Sequence, residues 1–442
     1  MSARTGRAFG AVLAALLLTA AAEPESRLAE YQRVRREAVA AAQAGDLATA
    51  EEKLDRAVQL FPDVPGGYIR LARVQAAAGN LEGALRNVQL YAGMGLTLDV
   101  GQDPALKALI DSPDYADIAW VLADNARPIG EVTALATIAG DPEFIGEGLF
   151  HDGRGWLLST VAGRTIVRLT PGGHMPFLQT DVGTGAIFGM AVDRRRGLLW
   201  AAEAWGDGVP GGSGAARTGL LKVSLKDGAI LGRIPLPEGG VRRQIGDVVV
   251  ARDGTVYATE SVAGGVWRLK AGSVQLEQIV GPGHMASPQG MFLCPGETAM
   301  LVADYATGLH RIDLSSGEAT PVEGLKAGLA GTDGLVAAPD VNFGMRRASP
   351  LPLGAIVTQN GVSPQRVLLL RINPECSEVE EATPLAAGLP GMDDVTLAAV
   401  RGNEVVFVGH GRWDARDANS RLTTPMPAPI RVFSLTLPSG SF

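Results

Sequence analysis

The chain has 442 residues, of which 46% are hydrophobic and 19% are charged. This composition is typical of a globular protein with room for two or more domains, and it excludes an intrinsically disordered chain. Lys and Arg total 39 against 47 Asp and Glu, and the net charge of −8 argues against a nucleic-acid partner because it offers no attraction for phosphates.

The N-terminus has the layout of a secretory signal peptide. Arg4 and Arg7 precede an apolar run over 8–22 that ends in small residues, and cleavage is predicted just before Glu23. The alternative is a membrane anchor, but the run is about 15 residues long and a spanning helix needs roughly 20. The sequence therefore predicts a signal peptide at 1–22, a periplasmic or secreted protein, and no membrane span after signal removal.

An Ala- and Leu-rich region follows, in which apolar residues recur every three and four positions, and this predicts helices. Two segments, "AGDLATAEEKLDRAV" from Ala44 and "AGNLEGALRNVQLYA" from Ala78, superimpose with a spacing of 34, so that Gly45 matches Gly79. The pattern resembles the tetratricopeptide repeat, in which small residues let two helices pack closely.

Two such repeats are too few for stability, because about three are normally needed. We expect the stretch from Asp103 to add a last helix pair that either caps the array or packs against the region that follows. The helical repeat domain is predicted over 27–126, and it would serve either as a docking surface for a protein partner or as a spacer.

After Arg127 the sequence changes to short alternating runs of Val, Ile, Leu and Thr separated by Gly, Asp and Pro, which predicts strands and turns. One kind of strand start, a polar or small residue followed by an apolar strand, a tight turn and a second strand, recurs along this region. The starts lie at Glu147, Phe188, Gly246, Gln289, Asp333 and Asp393.

The second positions of these starts are separated by 41, 58, 43, 44 and 60 residues, and the shorter gaps match a propeller blade of roughly 40 to 50 residues. The strand "EVTALATI" at 131–138 is predicted to complete the last blade and so close the ring. The prediction is an α+β multidomain chain: all-α tetratricopeptide-like repeats, then an all-β six-bladed β-propeller over 131–438.

In this region the chain resembles the six-bladed propellers of the senescence marker protein and gluconolactonase type. The resemblance covers about 140–438 and is carried by "EGLFHDGRGWLLS", "GDVVVARDGTVYATESVAGGVWRL", "SPQGMFLCPGETAMLVADYATGLHRIDLSSG", "TDGLV" and "QNGVSPQRVLLLRI". Proteins of that family hydrolyse lactones with a divalent metal in the central channel. The resemblance therefore implies a metal-dependent hydrolase with a small-molecule lactone or ester as its substrate.

The family's metal ligands are a Glu, an Asn and an Asp, each directly before an inner strand, and by position they fall on Glu147, Gln289 and Asp333. Gln289 keeps the amide oxygen of Asn but is one methylene longer. A substrate-contacting Asn of the family falls on Gly246, and the adjacent Asp247 is the polar residue expected to contact substrate there.

The repeat pattern partly supports the same metal site without the resemblance. Identical positions on the inner strands of a closed ring converge on its axis. The carboxylates of Glu147, Asp333 and Asp393 and the amide of Gln289 would then surround one mouth of the channel. Converging carboxylates repel one another, and a hard cation relieves that repulsion. Oxygen ligands favour calcium, with magnesium or manganese as alternatives.

In the enzyme hypothesis Asp333 or Asp393 takes a proton from the attacking water, and Asp333 is also the family's choice for that role. His284 lies five residues before Gln289 and could reach the mouth of the channel, where it would contact substrate and carry a proton. The alternative is a loop histidine with no functional role. The alternative for the acidic residues is structural, since Asp and Asn at strand starts accept hydrogen bonds from turns.

Asp304 and Glu260, at the far ends of second strands, are predicted to be turn formers. Cys294 and Cys376 permit a disulfide in an oxidising compartment but do not imply one, and two separate core or loop cysteines remain the favoured interpretation.

The alternative to a hydrolase is a non-catalytic propeller that binds a ligand or a protein, with the helical repeats as a second docking module. The two hypotheses differ in one structural requirement. A hydrolase needs Glu147, Gln289 and Asp333 to converge within a few ångströms on an open, water-accessible channel, whereas a binding module tolerates a plugged one.

Overall fold

The computed structural model describes residues 25–339, 341, 343, 352–417 and 421–437. The predicted signal peptide at 1–22 lies outside the described residues. Within the described part of the chain, no helix is both long and apolar enough to cross a lipid bilayer.

The N-terminal part consists of helices, as the periodicity predicts. They are α1 (Arg27–Gln43), α2 (Leu47–Leu60), α3 (Pro65–Ala77), α4 (Leu81–Ala92) and α5 (Tyr115–Asn125), with a 3-10 helix at Lys107–Asp111 before α5. Side chains cap three N-termini, since Ser26, Asp46 and Asn80 accept hydrogen bonds from backbone N–H groups of the first turn.

The two segments that are spaced 34 residues apart belong to equivalent helix hairpins, α1 with α2 and α3 with α4. Gly45 and Gly79 end the first helix of each hairpin at φ +79° and +82°, a conformation that L side chains rarely adopt. The expected last helix pair is wrong, because the stretch from Asp103 forms the 3-10 helix and only one α-helix, α5.

The rest of the described chain is β-structure arranged in six sheets, which confirms the predicted architecture of helices followed by a six-bladed propeller. Blade 1 is β2 (Gly146–His151), β3 (Trp156–Thr160), β4 (Thr165–Thr170) and β5 (Gly173–Pro176); blade 2 is β6 (Ala186–Asp193), β7 (Leu198–Trp205), β8 (Arg217–Ser224) and β9 (Ile230–Pro235); blade 3 is β10 (Ile245–Val250), β11 (Val256–Glu260), β12 (Gly265–Leu269) and β13 (Glu277–Val280).

Blade 4 is β14 (Pro288–Leu293), β15 (Ala299–Asp304), β16 (Gly308–Asp313) and β17 (Ala319–Pro321); blade 5 is β18 (Glu323–Gly324), β19 (Thr332–Ala337), β20 (Leu353–Gln359), β21 (Arg366–Ile372) and β22 (Glu378–Ala387); blade 6 is β23 (Ala398–Arg401), β24 (Glu404–His410), β25 (Ile430–Thr436) and, from the start of the region, β1 (Thr133–Ile138).

The first strand closes the ring, as predicted. β1 pairs antiparallel with β25, with Thr133 opposite Ser434 and Ile138 opposite Ile430. Each inner strand contacts the inner strand of the next blade, and β23 of the last blade contacts β2 of the first. The innermost strands β2, β6, β10, β14, β19 and β23 therefore surround one axis.

The helices pack against blades 4 and 5. The guanidinium of Arg366, at the start of β21, is buried and donates to the backbone carbonyls of Met94 and Ala327 and to the side-chain oxygen of Gln359. Asp63, after α2, accepts a hydrogen bond from the backbone N–H of Gly328. The hydrogen bonds of Arg366 to Met94 and of Gly328 to Asp63 cross between the helices and the propeller and help to fix the helical domain on it.

Blades 4 and 5 are also joined covalently. Cys294 and Cys376, whose Cα atoms lie 6.3 Å apart, form a disulfide, so the interpretation as two separate cysteines is wrong. Both residues are buried among apolar side chains of the two blades.

Candidate functional site

Each predicted strand start in blades 1 to 5 coincides with an irregularity in strand pairing. The ladder between inner and second strand skips between Gly146 and Leu149 in blade 1, and at the corresponding place in the next four blades. A bulge of this kind turns side chains away from the regular alternation of a strand. It thereby directs Glu147 and its counterparts toward the end of the channel.

Hydroxyl groups on the second strands satisfy the backbone at these bulges. Ser159 accepts from the N–H of Gly148, and Thr358 accepts from the N–H of Gly334. Buried backbone groups without ladder partners would otherwise cost free energy. These short polar residues therefore allow an irregular and polar strand start inside the ring.

The bulged starts surround a polar cavity of about 510 Å³ at one end of the channel. The predicted metal ligands Glu147, Gln289 and Asp333 all line it. The other lining residues are Phe188, Gln244, Gly246, Ser261, Ser287, Tyr305, Asn360, Gln365, Asp394 and Trp413. We refer to this space as the polar cavity.

A second cavity of about 340 Å³ lies further along the same inner strands and is lined mainly by apolar residues. Its ionisable side chains are His151, Arg194, Asp247, Glu297 and Arg401, whereas three carboxylates and several amide and hydroxyl groups line the polar cavity. The polar cavity is therefore the candidate site.

Glu147 is a buried carboxyl group of the polar cavity. Its side chain is buried, with 8% of the residue exposed, and Oε2 accepts a hydrogen bond of 2.8 Å from Nε1 of Trp413. Burial and the negative charge of Asp333 raise its pKa well above the usual value, and the charges of Asp394 and Asp247 add to this. The Trp413 N–H opposes the shift, because it stabilises the ionised form.

Asp333 is held by an amide side chain. Nδ2 of Asn360 donates to Oδ2 of Asp333 at 2.9 Å and to the carbonyl of Val395 at 2.8 Å. Burial raises the pKa of Asp333 to about 6, with the charge of Asp394 adding to the rise and the Asn360 hydrogen bond opposing it. A carboxyl group with such a pKa is suited to exchange protons near neutral pH.

Two amide oxygens add to the donor set. Nε2 of Gln289 donates to the hydroxyl of Ser287 at 2.9 Å, which leaves Oε1 as the acceptor atom of this side chain. Oδ1 of Asn360 is buried and has no hydrogen-bond partner among the described residues. An orphaned carbonyl oxygen beside ionisable carboxylates is the type of atom that a hard cation or a substrate hydroxyl would satisfy.

Asp393, the expected carboxylate of blade 6, does not line the polar cavity. Its side chain is 70% exposed and its Oδ1 lies 2.8 Å from Nδ1 of His410. Asp394 lines the cavity instead, and its Oδ2 accepts from the backbone N–H of Trp413 at 2.5 Å.

The difference of one residue has a local cause. Blade 6 differs in this segment, since its regular inner strand begins only at Ala398 and Asp394 pairs with His410 through an isolated parallel bridge. Neighbouring residues of an extended segment face opposite sides, so a shift of one residue exchanges the inward and outward side chains. Burial raises the pKa of Asp394 as well.

The two predicted substrate-contacting residues also lie outside the lining of the polar cavity. Asp247 lines the second cavity, and burial raises its pKa to about 7. It accepts from the N–H of Val248, and Gly189 leaves room for it, because a Cβ there would collide with its carboxylate. His284 is exposed on the loop before β14.

Asp304 and Glu260 are turn formers, as predicted. Asp304 is fully buried and accepts from the backbone N–H groups of Ala286, Ser287 and Thr307. Glu260 accepts in the same way from the N–H of Gln244. Both side chains fix the loop that leads into the polar cavity.

Several lining residues that were not predicted from the sequence share one position in their blades. Ser261, Tyr305 and Asn360 each follow directly after the second strand of a blade, in blades 3, 4 and 5. The antiparallel pairing brings this position beside the start of the inner strand. The position directly after each second strand could therefore have predicted these lining residues from the sequence. Trp413 lies on the loop after β24, and no such position predicts it.

Comparisons with known proteins assign no function to the chain. No protein-family model matches it. Among curated proteins it resembles tetratricopeptide repeat protein 36 of Bos taurus, 33% identical over 82 residues, covering 18% of this chain and 44% of that protein. The Mus musculus protein of the same name is 35% identical over 66 residues, covering 15% of this chain and 36% of that protein. The chain thus spans less than half the length of these relatives.

Solved structures with a similar arrangement include a luciferin-regenerating enzyme, with 12% identity, a TM-score of 0.44, and coverage of 72% of this chain and 98% of that one. A PQQ-bound aldose sugar dehydrogenase from Streptomyces coelicolor shows 15% identity, a TM-score of 0.41, and coverage of 70% and 99%.

Proposed function

We propose that this protein is a hydrolase of lactones or esters that uses a divalent cation held in the polar cavity. The observation that carries the proposal is the convergence of Glu147, Asp333 and Asp394 on one cavity, beside the orphaned Oδ1 of Asn360. The cavity of about 510 Å³ that these residues line also supports a hydrolase over a plugged binding module.

The donor set suits a hard cation. Glu147 and Asp333 would supply carboxylate oxygens and Gln289 an amide oxygen, and all three line the cavity. Oxygen-only ligands favour calcium over zinc, with magnesium and manganese as alternatives. The resemblance to the senescence marker protein and gluconolactonase family, which places its ligands on the same three positions, supports this assignment.

When bound, such a cation would act as a Lewis acid toward the carbonyl of a lactone or ester. The residues of the chain would do the rest. Asp333 would take the proton of the attacking water, and Asn360 would hold its carboxylate in place. Phe188 and Trp413 supply an apolar side to the cavity, against which the substrate skeleton could pack.

Cation titration followed by a substrate panel tests this proposal. We expect metal-free protein to bind one calcium or manganese ion per chain and to hydrolyse at least one member of a panel of lactones and esters. E147Q and D333N should lose both properties, whereas E238Q, which removes an exposed carboxylate from the loop after β9, should keep them. Absence of cation binding in the unmodified protein would refute the hydrolase. A bound cation without turnover would make the ion structural.

Export is part of the same proposal. The signal-peptide pattern at 1–22 supports it, and so does the disulfide between Cys294 and Cys376, because such bonds persist in oxidising compartments. Mass spectrometry of the protein from its native source should find a mature chain that begins at Glu23. An intact N-terminus in the cytosolic fraction would contradict export.

A second candidate is a binding function of the helical domain. It is favoured by the exposure of large apolar side chains there, including 65% of Trp120 and 47% of Leu90. A photo-crosslinker at position 120 should capture a protein partner that a crosslinker at position 238 does not. Equal capture at both positions would leave the helices as a spacer.

A further inference from the structure

We propose that His410, Asp394 and Asp414 form a second cation site, at the rim of the polar cavity, that takes a transition-metal ion of the zinc class. One ligand atom from each of the three side chains lies within 4.8 Å of the others. This site goes beyond the proposed hydrolase: it shares Asp394 with the polar cavity, but it uses none of Glu147, Gln289 and Asp333, the residues proposed to bind calcium.

The decisive atom is Nε2 of His410. The residue is only 4% exposed, and this buried nitrogen has no hydrogen-bond partner among the residues that the structure describes. It lies 3.8 Å from Oδ1 of Asp414, which is too far for a hydrogen bond. A buried polar atom normally has a hydrogen-bond partner. This nitrogen has none, and its ring belongs to a cluster with the carboxylates of Asp394 and Asp414.

The opposite nitrogen of the ring is already oriented. Nδ1 of His410 lies 2.8 Å from Oδ1 of Asp393, so the carboxylate would accept the Nδ1–H and leave Nε2, which lies 3.8 Å from Oδ1 of Asp414, as the ligand atom. Histidines that bind metals usually donate their other ring N–H to a carboxylate in this way, which fixes the tautomer. Asp393 would therefore be a positioning residue.

The backbone holds the ligands in a fixed relation. Asp394 and His410 face each other across a β-bridge, and the N–H of Gly411 donates to the carbonyl of Asp394 at 2.9 Å. Asp414 follows four residues after His410, and its side chain is 60% exposed, so an ion could enter from solvent. Two ligands on rigid strand ends and one on a loop make a site that is open on one side.

Blade 6 differs from its neighbours at this position. Glu203, Glu260 and Asp304, near the ends of the second strands in blades 2, 3 and 4, accept hydrogen bonds from the loop before the inner strand. No such backbone bond to His410 is present among the described residues. His410 therefore does not serve, as the acidic residues of the other blades do, to accept backbone hydrogen bonds from that loop.

The ligand types select the metal class. One imidazole nitrogen and two carboxylates suit zinc, and three protein ligands with an open position are typical of zinc sites that keep a bound water. Calcium binds oxygen ligands only, so it should prefer the polar cavity. Asp394 lines that cavity, so an ion at this second site would reach its rim.

The test is a cobalt(II) titration of untagged, chelator-treated protein, followed by visible absorption. We expect one cobalt ion per chain with d–d bands that zinc abolishes by displacement. H410Q and D414N should each bind cobalt at least tenfold more weakly, and D393N should bind it about 10- to 100-fold more weakly, as for other positioning carboxylates. H174Q is the matched control, since His174 has one nearby carboxylate, Asp141, with its Nε2 at 3.4 Å.

The outcomes separate this site from the proposed hydrolase. E147Q should lose calcium binding in the polar cavity and keep the cobalt spectrum. Absence of cobalt binding in the unmodified protein, or an undiminished spectrum in D414N, would overturn the second site. D414N decides the matter if H410Q fails to fold, because Asp414 is exposed and its substitution does not disturb the core.

Discussion

Nε1 of Trp413 donates a hydrogen bond of 2.8 Å to Oε2 of Glu147, which precedes it by 266 residues. The bond joins the last blade of the ring to the first, at the rim of the polar cavity. It also counteracts the burial and repulsion that raise the pKa of Glu147, because it stabilises the ionised carboxylate.

Substitution of Trp413 by Phe should weaken cation binding. A hydrogen bond to a charged group is worth about 1.5–3 kcal/mol, so we expect calcium affinity at neutral pH to fall by roughly 10- to 100-fold in W413F. Isothermal titration calorimetry measures this change. The matched control is W267F, because Nε1 of Trp267 has no hydrogen-bond partner within the described part of the chain. Equal affinities in W413F and W267F would contradict the role of the bond.

Asp393 and Asp394 offer a neighbouring pair with opposite expected effects on calcium. D394N removes a negative charge from the polar cavity, so we expect calcium affinity to fall by about 3- to 10-fold through lost Coulomb attraction. D393N should change it by less than about twofold, because that carboxylate is 70% exposed and points outward. A larger effect of D393N than of D394N would show that the sequence-based position was the correct one.

Asp63 should make stability depend on pH at the contact between helices and propeller. Burial raises its pKa in the folded state to about 6, against an ordinary value of 3.8. Below about pH 4 both states are protonated. Between about pH 4 and 6 the unfolded chain releases its proton first, so the folded protein loses up to about 3 kcal/mol of stability from this group.

The D63N variant isolates this contribution. Asn keeps an oxygen acceptor for the N–H of Gly328 but cannot ionise. Chemical denaturation at several pH values should therefore show the unmodified protein losing stability relative to D63N as pH rises from about 4 to 6.5, with little change above that. A difference that stays constant across this range would contradict the raised pKa.

The disulfide should contribute measurably to stability. It links residues 82 positions apart, and the loop-entropy model gives about 4 kcal/mol for a loop of that length. We expect the double variant C294S/C376S to unfold with about 2–4 kcal/mol less free energy than the oxidised protein. Reductant should destabilise the unmodified protein and leave the double variant unchanged, and an equal effect on both would exclude the disulfide as the cause.

The sequence by itself determined the architecture. Gly45 and Gly79 mark the 34-residue repeat, and the six recurring strand starts mark the blades, because period and turn chemistry are local properties of a chain. The closing strand was also predictable. One strand before the first blade had no partner and the last blade lacked one strand, so the first was expected to complete the last. Glu147, Gln289 and Asp333 follow from the same repetition and share the polar cavity.

Tertiary structure alone decided which side chains face that cavity in blade 6. Asp394 faces the cavity in place of Asp393, and a one-residue shift cannot be read from a sequence in which both residues are Asp. The contacts of Glu147 with Trp413 and of Cys294 with Cys376 join segments that are distant in the chain, so no local pattern encodes them. The unpartnered Nε2 of His410 is likewise unpredictable from the sequence, because the nitrogen is buried only once the ring has closed around it.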